Sequence, residues 1–158
     1  MSMPNGQPMP GWVLKIPPPV WAIGLLLAAA GLDRVFAWGM IVRLPLVGVL
    51  LAVLGLALAV WGQMTFAAEG TEIIPTSPQN KKLVTRGPFA YTRNPMYLGL
   101  VVITLGIALY AGSIPFFLVP AILFFLCGGT FIPFEEAKMK RQFGNQYTDY
   151  TSRVRRWL

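Results

Sequence analysis

Four long apolar runs dominate the pattern of hydrophobic and polar positions along the chain. They cover about residues 18–38, 44–65, 95–111 and 114–132. A helix that crosses a bilayer core of ~30 Å needs about 20 apolar residues, so the third run is short but each of the four can be a span. The pattern predicts an all-α fold, a polytopic membrane helix bundle of about four transmembrane helices, with all of residues 1–158 in one domain.

The second apolar run carries small residues along one helical face. They are spaced alternately by four and three: Gly48, Ala52, Gly55, Ala59 and Gly62. Such a stripe lets another helix approach closely, so we expect tight packing within the bundle or in a dimer. Residues 111–115 contain Gly and Pro and are expected to join the third and fourth spans as a tight helical hairpin.

A second periodic pattern follows Pro133. Its apolar and aromatic members again alternate by four and three: Phe143, Tyr147, Tyr150, Val154 and Trp157. Lysine and arginine residues flank this stripe, a pattern typical of a helix that lies in the membrane interface. We therefore predict a C-terminal amphipathic interfacial helix, bent or interrupted at Gly144.

Composition also favours a membrane protein. Apolar residues make up 55% of the chain, charged residues 12%, and the mean hydropathy is +0.59, whereas soluble domains carry roughly 25% charged residues. The chain has one cysteine and no histidine, so no disulfide can form within it, and the commonest metal ligand and general base are missing. We expect no metal site, and any catalysis must use carboxylates, arginine, tyrosine, backbone dipoles or a reactive cofactor.

The charge distribution predicts an orientation. With four spans, eleven of the thirteen basic residues share one side, and only Arg34 and Arg43 lie opposite. The positive-inside rule then predicts that both termini are cytoplasmic. The basic loops suit an anionic bilayer surface, and because no RNA- or DNA-binding pattern accompanies them, we expect no nucleic-acid partner. The oligomeric state stays open.

A first polar cluster precedes the third apolar run. Asn94 and Pro95 are favoured at a helix start, which predicts that the helix begins there with its free N–H groups available to an anionic group. Arg93 and Tyr97 flank this start, and Gly99 leaves space for a flat ligand or a neighbouring backbone. A plain helix cap with an interfacial arginine and tyrosine is the alternative interpretation.

A second polar cluster follows Pro133. Glu135 and Glu136 complement the dipole of a helix that starts there, and Glu136 can pair with Lys140 one turn later. Both acids also lie on the same membrane side as the first cluster, where they could bind ribose hydroxyls or an amine. Together the two clusters offer hydrogen-bond donors, carboxylates and aromatic rings at one depth.

The segments 87–99 and 135–150 resemble, in order and spacing, the isoprenylcysteine carboxyl methyltransferase and phospholipid methyltransferase superfamily. The resemblance covers about residues 71–157. It implies an integral membrane enzyme that transfers a methyl group from S-adenosylmethionine to a lipid-like or prenylated acceptor, here at the cytoplasmic face. It assigns the cofactor site to Arg93, Asn94, Pro95, Met96, Tyr97, Gly99, Glu135 and Glu136. The usual pattern has histidine where this chain has Asn94. If this position contacts the cofactor through its backbone, asparagine is harmless, whereas if the imidazole acts on the acceptor, the acceptor differs.

The roles follow as hypotheses. Glu135 and Glu136 hold polar parts of the cofactor, and Arg93 or Arg141 pairs with a carboxylate of cofactor or acceptor, so the catalytic set is Arg93, Glu135 and Arg141. Carboxyl O-methylation of an isoprenylcysteine-type acceptor is favoured, with a phospholipid amine or a small thiol as the alternative acceptor. A non-enzymatic scaffold or small transporter is the alternative of another class, although transporters usually carry ionisable groups at mid-membrane, and the four runs carry none away from their ends.

Overall fold

The structure is a computed structural model that describes residues 13–36, 39–70 and 82–158. Within these ranges six α-helices follow one another: α1 Pro18–Phe36, α2 Pro45–Ala68, α3 Pro95–Ala111, α4 Ile114–Leu126, α5 Ile132–Phe143 and α6 Asn145–Arg153. A π-helical turn, Cys127–Phe131, joins α4 to α5, and short 3₁₀ turns lie at Val13–Lys15 and Gly87–Ala90. The described ranges hold no β-strand, which confirms the all-α helix bundle.

In the part of the chain that the structure describes, three helices are long and apolar enough to cross a membrane: α1, α2 and the continuous helix Ile114–Phe143. The shorter α3 is also apolar, as expected. Large side chains such as Leu46 and Phe125 are exposed on the outside of the bundle, as a lipid-facing surface requires. The expected end of the first span at Trp38 and the 71–81 part of the cofactor half lie outside the described residues.

Helices α2 and α3 pack backbone to backbone. A Cβ added to Gly55 would lie 2.6 Å from the carbonyl oxygen of Gly99, and one added to Gly99 would lie 2.5 Å from the carbonyl oxygen of Gly55. Gly48 and Gly106 repeat this relationship: a Cβ added to either glycine would lie 2.5 Å from the carbonyl oxygen of the other. Only glycine fits at such positions. Of the two arrangements expected for the stripe on α2, packing within the bundle or in a dimer, the structure shows packing within the bundle.

Helix α4 lies between α3 and α1. Gly112 ends α3 in the left-handed region, with φ of 83°, and α4 starts two residues later, which confirms the predicted hairpin. On its other side α4 buries Val119 and Leu123 against Ala22 and Ala29 of α1. The core of the spanning part is therefore built from small and aliphatic side chains.

One end of the bundle is fastened by the segment between α1 and α2. The backbone N–H of Ile41 donates to the Gly112 carbonyl at 2.8 Å, and the Arg43 guanidinium donates to the Tyr110 carbonyl at 3.3 Å. Both polar clusters lie at the other end, where α2 and α5 meet the start of α3.

The C-terminal part differs from the prediction in two ways. No new helix begins after Pro133, because the helical path of α4 continues through the π turn into α5 as far as Phe143. The wider hydrogen-bond pattern of a π turn changes the register of the backbone ladder, and this accommodates a proline, which has no N–H to donate. The helix breaks at Gly144, with φ of 50°, as predicted.

The aromatic stripe of the tail packs mainly on the protein, a set of contacts that the sequence pattern did not predict. Tyr147 and Tyr150 are buried, and the Tyr150 hydroxyl donates to the Phe89 carbonyl at 2.7 Å. Trp157 stacks on Phe124 with ring centroids 4.6 Å apart. Since the break at Gly144 gives α6 its own direction, these rings pack on the bundle and on the segment before α3.

Candidate active site

A hydrogen bond joins the first turns of α3 and α5. The Tyr97 hydroxyl donates to Oε1 of Glu135 at 2.6 Å. Tyr97 is buried and packs beside Phe131 and Cys127 of the π turn. The structure thus brings the two polar clusters together, although 38 residues separate Tyr97 from Glu135 along the chain.

Glu136 is held by two arginines. Arg93 Nη2 lies 3.3 Å from Oε1 of Glu136, and Arg156 Nη2 lies 2.6 Å from Oε2. Arg156 Nε also donates to Oε1 at 3.1 Å. Glu136 therefore pairs across the fold rather than with Lys140 along its own helix, because the longer-range partners reach it from the segment before α3 and from the tail.

Asn94 stands at the start of α3, as predicted, but its side chain does not cap the helix. Its Nδ2 donates instead to the backbone carbonyl of Arg156 at 2.9 Å. The Thr92 hydroxyl donates to the same carbonyl at 3.3 Å and accepts from the Asn94 backbone N–H at 3.2 Å. Asn94 is buried, so its role in this structure is to connect the start of α3 to the tail.

Two tyrosines of α6 close one side of this region. Burial, together with the Glu136 carboxylate, raises the pKa of Tyr147 to about 12, although Arg93 and Arg156 act in the opposite direction. Burial also raises the pKa of Tyr150 well above its ordinary value. Both phenols therefore stay neutral near physiological pH and serve as an aromatic wall rather than as bases.

A cavity lies between these groups, and we call it the polar cavity because Arg93, Glu135 and Glu136 stand in its otherwise largely apolar wall. Seven of the eight residues assigned to the cofactor site line it, namely all except Gly99: Arg93, Asn94, Pro95, Met96, Tyr97, Glu135 and Glu136. Phe66, Phe89, Met139 and Tyr147 add apolar and aromatic walls. The cavity measures about 80 Å³, which is smaller than the roughly 300–1,000 Å³ of pockets that hold drug-sized ligands.

Two of the predicted site residues lie elsewhere. Gly99 contacts the backbone of α2, so its missing side chain serves helix packing rather than a ligand. Arg141 is exposed and is not among the residues that line the cavity. Six residues of helix turn the chain by about 600°, which leaves Arg141 about 120° around α5 from Glu135, so the geometry gives its proposed catalytic role no support.

A second, apolar cavity of about 520 Å³ adjoins the first. It is lined by Pro17, Pro18 and Pro19 before and at the start of α1, by Leu56, Ala59, Val60 and Gln63 of α2, and by Leu100 and Ile103 of α3. Met96, Tyr97 and Glu135 line both cavities. The hydrogen-bonded pair Tyr97–Glu135 therefore forms a shared wall between a polar and an apolar compartment.

Sequence reasoning missed this apolar cavity and the role of Arg156. A signal for the cavity exists on α2, where Leu56, Ala59, Val60 and Gln63 recur at helical spacing and Gln63 is a polar residue within an apolar span. Arg156 has no comparable local signal, since its partners lie 20 and 62 residues away in the chain.

Comparison with known proteins agrees with this arrangement. The model of the phospholipid methyltransferase family matches residues 44–146, a region of more than half of the chain that contains both polar clusters and most of the lining of both cavities. No curated protein and no solved structure matches the chain. The protein is thus a membrane methyltransferase by its family and by its long apolar helices, and the chain belongs to the phospholipid methyltransferase family.

Proposed function

We propose that this membrane methyltransferase uses S-adenosylmethionine to methylate the amine of a lipid head group. The observation that carries the proposal is the wall shared by the two cavities. A polar compartment suited to a charged cofactor and an apolar compartment suited to a lipid meet at Tyr97 and Glu135. A two-substrate transfer between a polar donor and an apolar acceptor needs such a meeting point.

The chemistry of the polar cavity suits the cofactor. Nε of Arg93 is buried and has no hydrogen-bond partner among the described residues, so Arg93 can still pair with the carboxylate of an amino-acid moiety. Glu136 offers acceptors for ammonium or ribose hydroxyls, and Phe89 and Tyr147 offer faces for a flat purine ring. Because the cavity is small, the lining side chains must move apart to admit a molecule of that size.

The apolar cavity suits a lipid that carries an amine. Its volume lies within the range of small-molecule pockets. Among the described residues that line it, Glu135 is the one carboxylate, and no lysine or arginine lines it. An ammonium group is attracted to that carboxylate, whereas an acceptor carboxylate is repelled by it. This charge pattern favours the phospholipid amine over the isoprenylcysteine carboxylate that the sequence favoured.

When bound, S-adenosylmethionine supplies an activated methyl group on a sulfonium, so the protein needs no metal or histidine for the transfer itself. The residues of the chain supply position and proton transfer. Glu135 accepts the proton that a lipid ammonium must lose before its nitrogen can act as a nucleophile. Tyr97 holds Glu135 in place, and the apolar lining excludes water, so that orientation can contribute ~7–11 kcal/mol.

We further propose that the site faces the cytoplasm. The polar clusters and Lys15 lie at the end of the bundle opposite Arg43, in agreement with the charge asymmetry of the sequence. Accessibility of single engineered cysteines to a membrane-impermeant thiol reagent in intact cells tests this. A cysteine in place of exposed Thr85 should be protected until the cells are opened, and labelling from outside would reverse the orientation.

The acceptor is identified by the chemistry of the product. The purified protein is incubated with methyl-labelled S-adenosylmethionine and vesicles that contain either phosphatidylethanolamine or a prenylated cysteine. We expect label in the aminophospholipid, stable to base because an N-methyl bond does not hydrolyse, and lost in Glu135→Gln. Release of the label by base as methanol would instead identify a carboxyl ester and overturn the amine proposal.

A further inference from the structure

Residues 155–157 form a C-terminal strap that contacts three separate elements of the site. We propose that Arg156 in this strap is a positioning residue, which holds Glu136 in the orientation that binds the cofactor. The inference rests on the proposed function and extends it, because Arg156 does not itself line the polar cavity. It acts on that cavity through Glu136, which does.

The backbone of the strap is fastened to the segment that starts α3. The Arg155 carbonyl accepts from the Arg93 N–H at 3.0 Å. The Arg156 carbonyl accepts from Asn94 Nδ2 at 2.9 Å and from the Thr92 hydroxyl at 3.3 Å. Three hydrogen bonds from Thr92, Arg93 and Asn94 therefore fix where the Arg156 side chain begins.

The side chain of Arg156 then engages both oxygens of Glu136. Nη2 lies 2.6 Å from Oε2, and Nε lies 3.1 Å from Oε1. A bidentate arginine–carboxylate pair fixes the plane of the carboxylate as well as its position. Arg93 makes a single, longer contact of 3.3 Å with Glu136, and its buried Nε stays unpaired. Because Arg156 already holds Glu136, Arg93 can bind an anionic group of the cofactor.

Trp157 fastens the strap to a third element. Its ring stacks on Phe124 of α4, with centroids 4.6 Å apart and planes 25° apart, and it lies beside Gly128 of the π turn. The strap therefore links α4, the start of α3 and the first turn of α5. Its backbone carbonyls and side chains therefore fix the relative positions of the elements that carry Arg93, Glu135 and Glu136.

Calorimetric titration of the purified full chain with S-adenosylmethionine tests the inference. For Arg156→Ala we expect a cofactor Kd raised by about tenfold or more, since charge-assisted pairs are among the stronger hydrogen bonds. Arg156→Lys keeps the charge but loses the bidentate contact with Glu136, so its affinity for the cofactor should lie between those of Arg156→Ala and the wild type. The matched control is Arg153→Ala, an exposed arginine of the same tail whose Nε contacts only its own helix, and its Kd should stay within about twofold.

Steady-state kinetics provide a readout that a general loss of structure would not give. In Arg156→Ala the KM for the cofactor should rise while kcat changes little, because Glu135 and the acceptor cavity are untouched. Glu136→Gln should cause a loss similar to that of Arg156→Ala, and the double variant should be no worse than either. Cofactor binding by Arg156→Ala equal to that of Arg153→Ala would overturn the positioning role.

Thermal unfolding separates failure of this inference from failure of the proposed function. If the wild type binds no S-adenosylmethionine, the proposed function fails, but the contact between Arg156 and Glu136 can still be examined in the free protein. The shifts in Tm of Arg156→Ala and Glu136→Gln should then be non-additive. Additive shifts would show that the two side chains are not coupled and would overturn the inference independently of any ligand.

Discussion

Tyr97 donates its hydroxyl hydrogen to Glu135 at a distance of 2.6 Å, and both residues line the polar and the apolar cavity. This bond has a structural consequence, since it ties the first turn of α3 to the first turn of α5. It also has a chemical one, because it fixes the direction of the carboxylate that faces both compartments. Changes at these two positions should therefore reduce activity.

Tyr97→Phe removes the donor and leaves the ring in place. We expect a loss of about 1–3 kcal/mol in stability, because one oxygen of a largely buried carboxylate loses its partner. Methyl transfer should fall by about tenfold or more, the equivalent of 1.4 kcal/mol, since Glu135 is then free to rotate. Thermal unfolding in detergent and initial rates of transfer measure the two effects.

Tyr110→Phe is the control for that variant, because Tyr110 is exposed and lies on the last turn of the same helix, at the far end of the bundle. Its hydroxyl should be dispensable. A rate for Tyr97→Phe equal to that of Tyr110→Phe would show that the hydrogen bond to Glu135 has no part in the reaction.

The two adjacent glutamates should give different kinetic results. Glu135→Gln removes the proton acceptor at the shared wall, so kcat should fall while the cofactor Kd changes little. Glu136→Gln removes the partner of Arg93 and Arg156, so the cofactor Kd should rise. Titration and rate measurements on both variants check the division, and an interchange of the two patterns would exchange the assigned roles.

The sequence was sufficient for the spans and for the two polar clusters. The apolar runs, the Asn94–Pro95 helix start and the small-residue stripe on α2 are local signals, and the structure has a helix at each of them, although α3 is shorter than the three candidate spans. Their physical causes act within one helix turn or one span, so periodicity reports them directly.

The remaining features depend on where distant segments meet. Gly99 was open to two interpretations in sequence, a ligand or a neighbouring backbone, and only the packing of α2 against α3 decides for the backbone. Glu136 had a nearby candidate partner in Lys140, yet its partners come from the segment before α3 and from the strap. Local pairing rules describe what a helix permits, whereas tertiary packing selects among the permitted partners.

The glycine contacts between α2 and α3 should be sensitive to a single methyl group. Gly55→Ala places a Cβ 2.6 Å from the Gly99 carbonyl oxygen, so the helices must separate, at a cost of about 1–3 kcal/mol. Gly24→Ala is the matched control on α1, where nothing lies within 4 Å of the added atom. It should be neutral or stabilise by up to about 1 kcal/mol through helix propensity, and equal Tm values for both variants would contradict the packing argument.

Filling the apolar cavity should affect the acceptor alone. Leu56→Trp adds bulk to its lining, so the KM for a lipid acceptor should rise while the cofactor Kd is unchanged. Leu54→Trp is the control, because Leu54 is exposed on the same helix and does not line the cavity. Acceptor kinetics measured in vesicles distinguish the two, and an unchanged KM in Leu56→Trp would exclude this cavity as the acceptor site.

Arg93 and Arg141 were given similar roles from the sequence, and the structure separates them. Arg93 is largely buried in the polar cavity and contacts Glu136, whereas Arg141 is exposed and does not line that cavity. Arg93→Ala should weaken cofactor binding by about tenfold or more. The substitution removes a largely buried positive charge from the cavity, and it also removes one of the two arginines that hold Glu136. Arg141→Ala should change affinity by no more than about twofold, as expected of a surface substitution.

Because the two variants remove the same charge, titration with S-adenosylmethionine at two salt concentrations separates local contact from general electrostatic attraction. Equal losses that vanish at high salt would indicate attraction alone, whereas a salt-resistant loss confined to Arg93→Ala shows that Arg93 acts locally at the cavity, by direct contact with the cofactor or through Glu136.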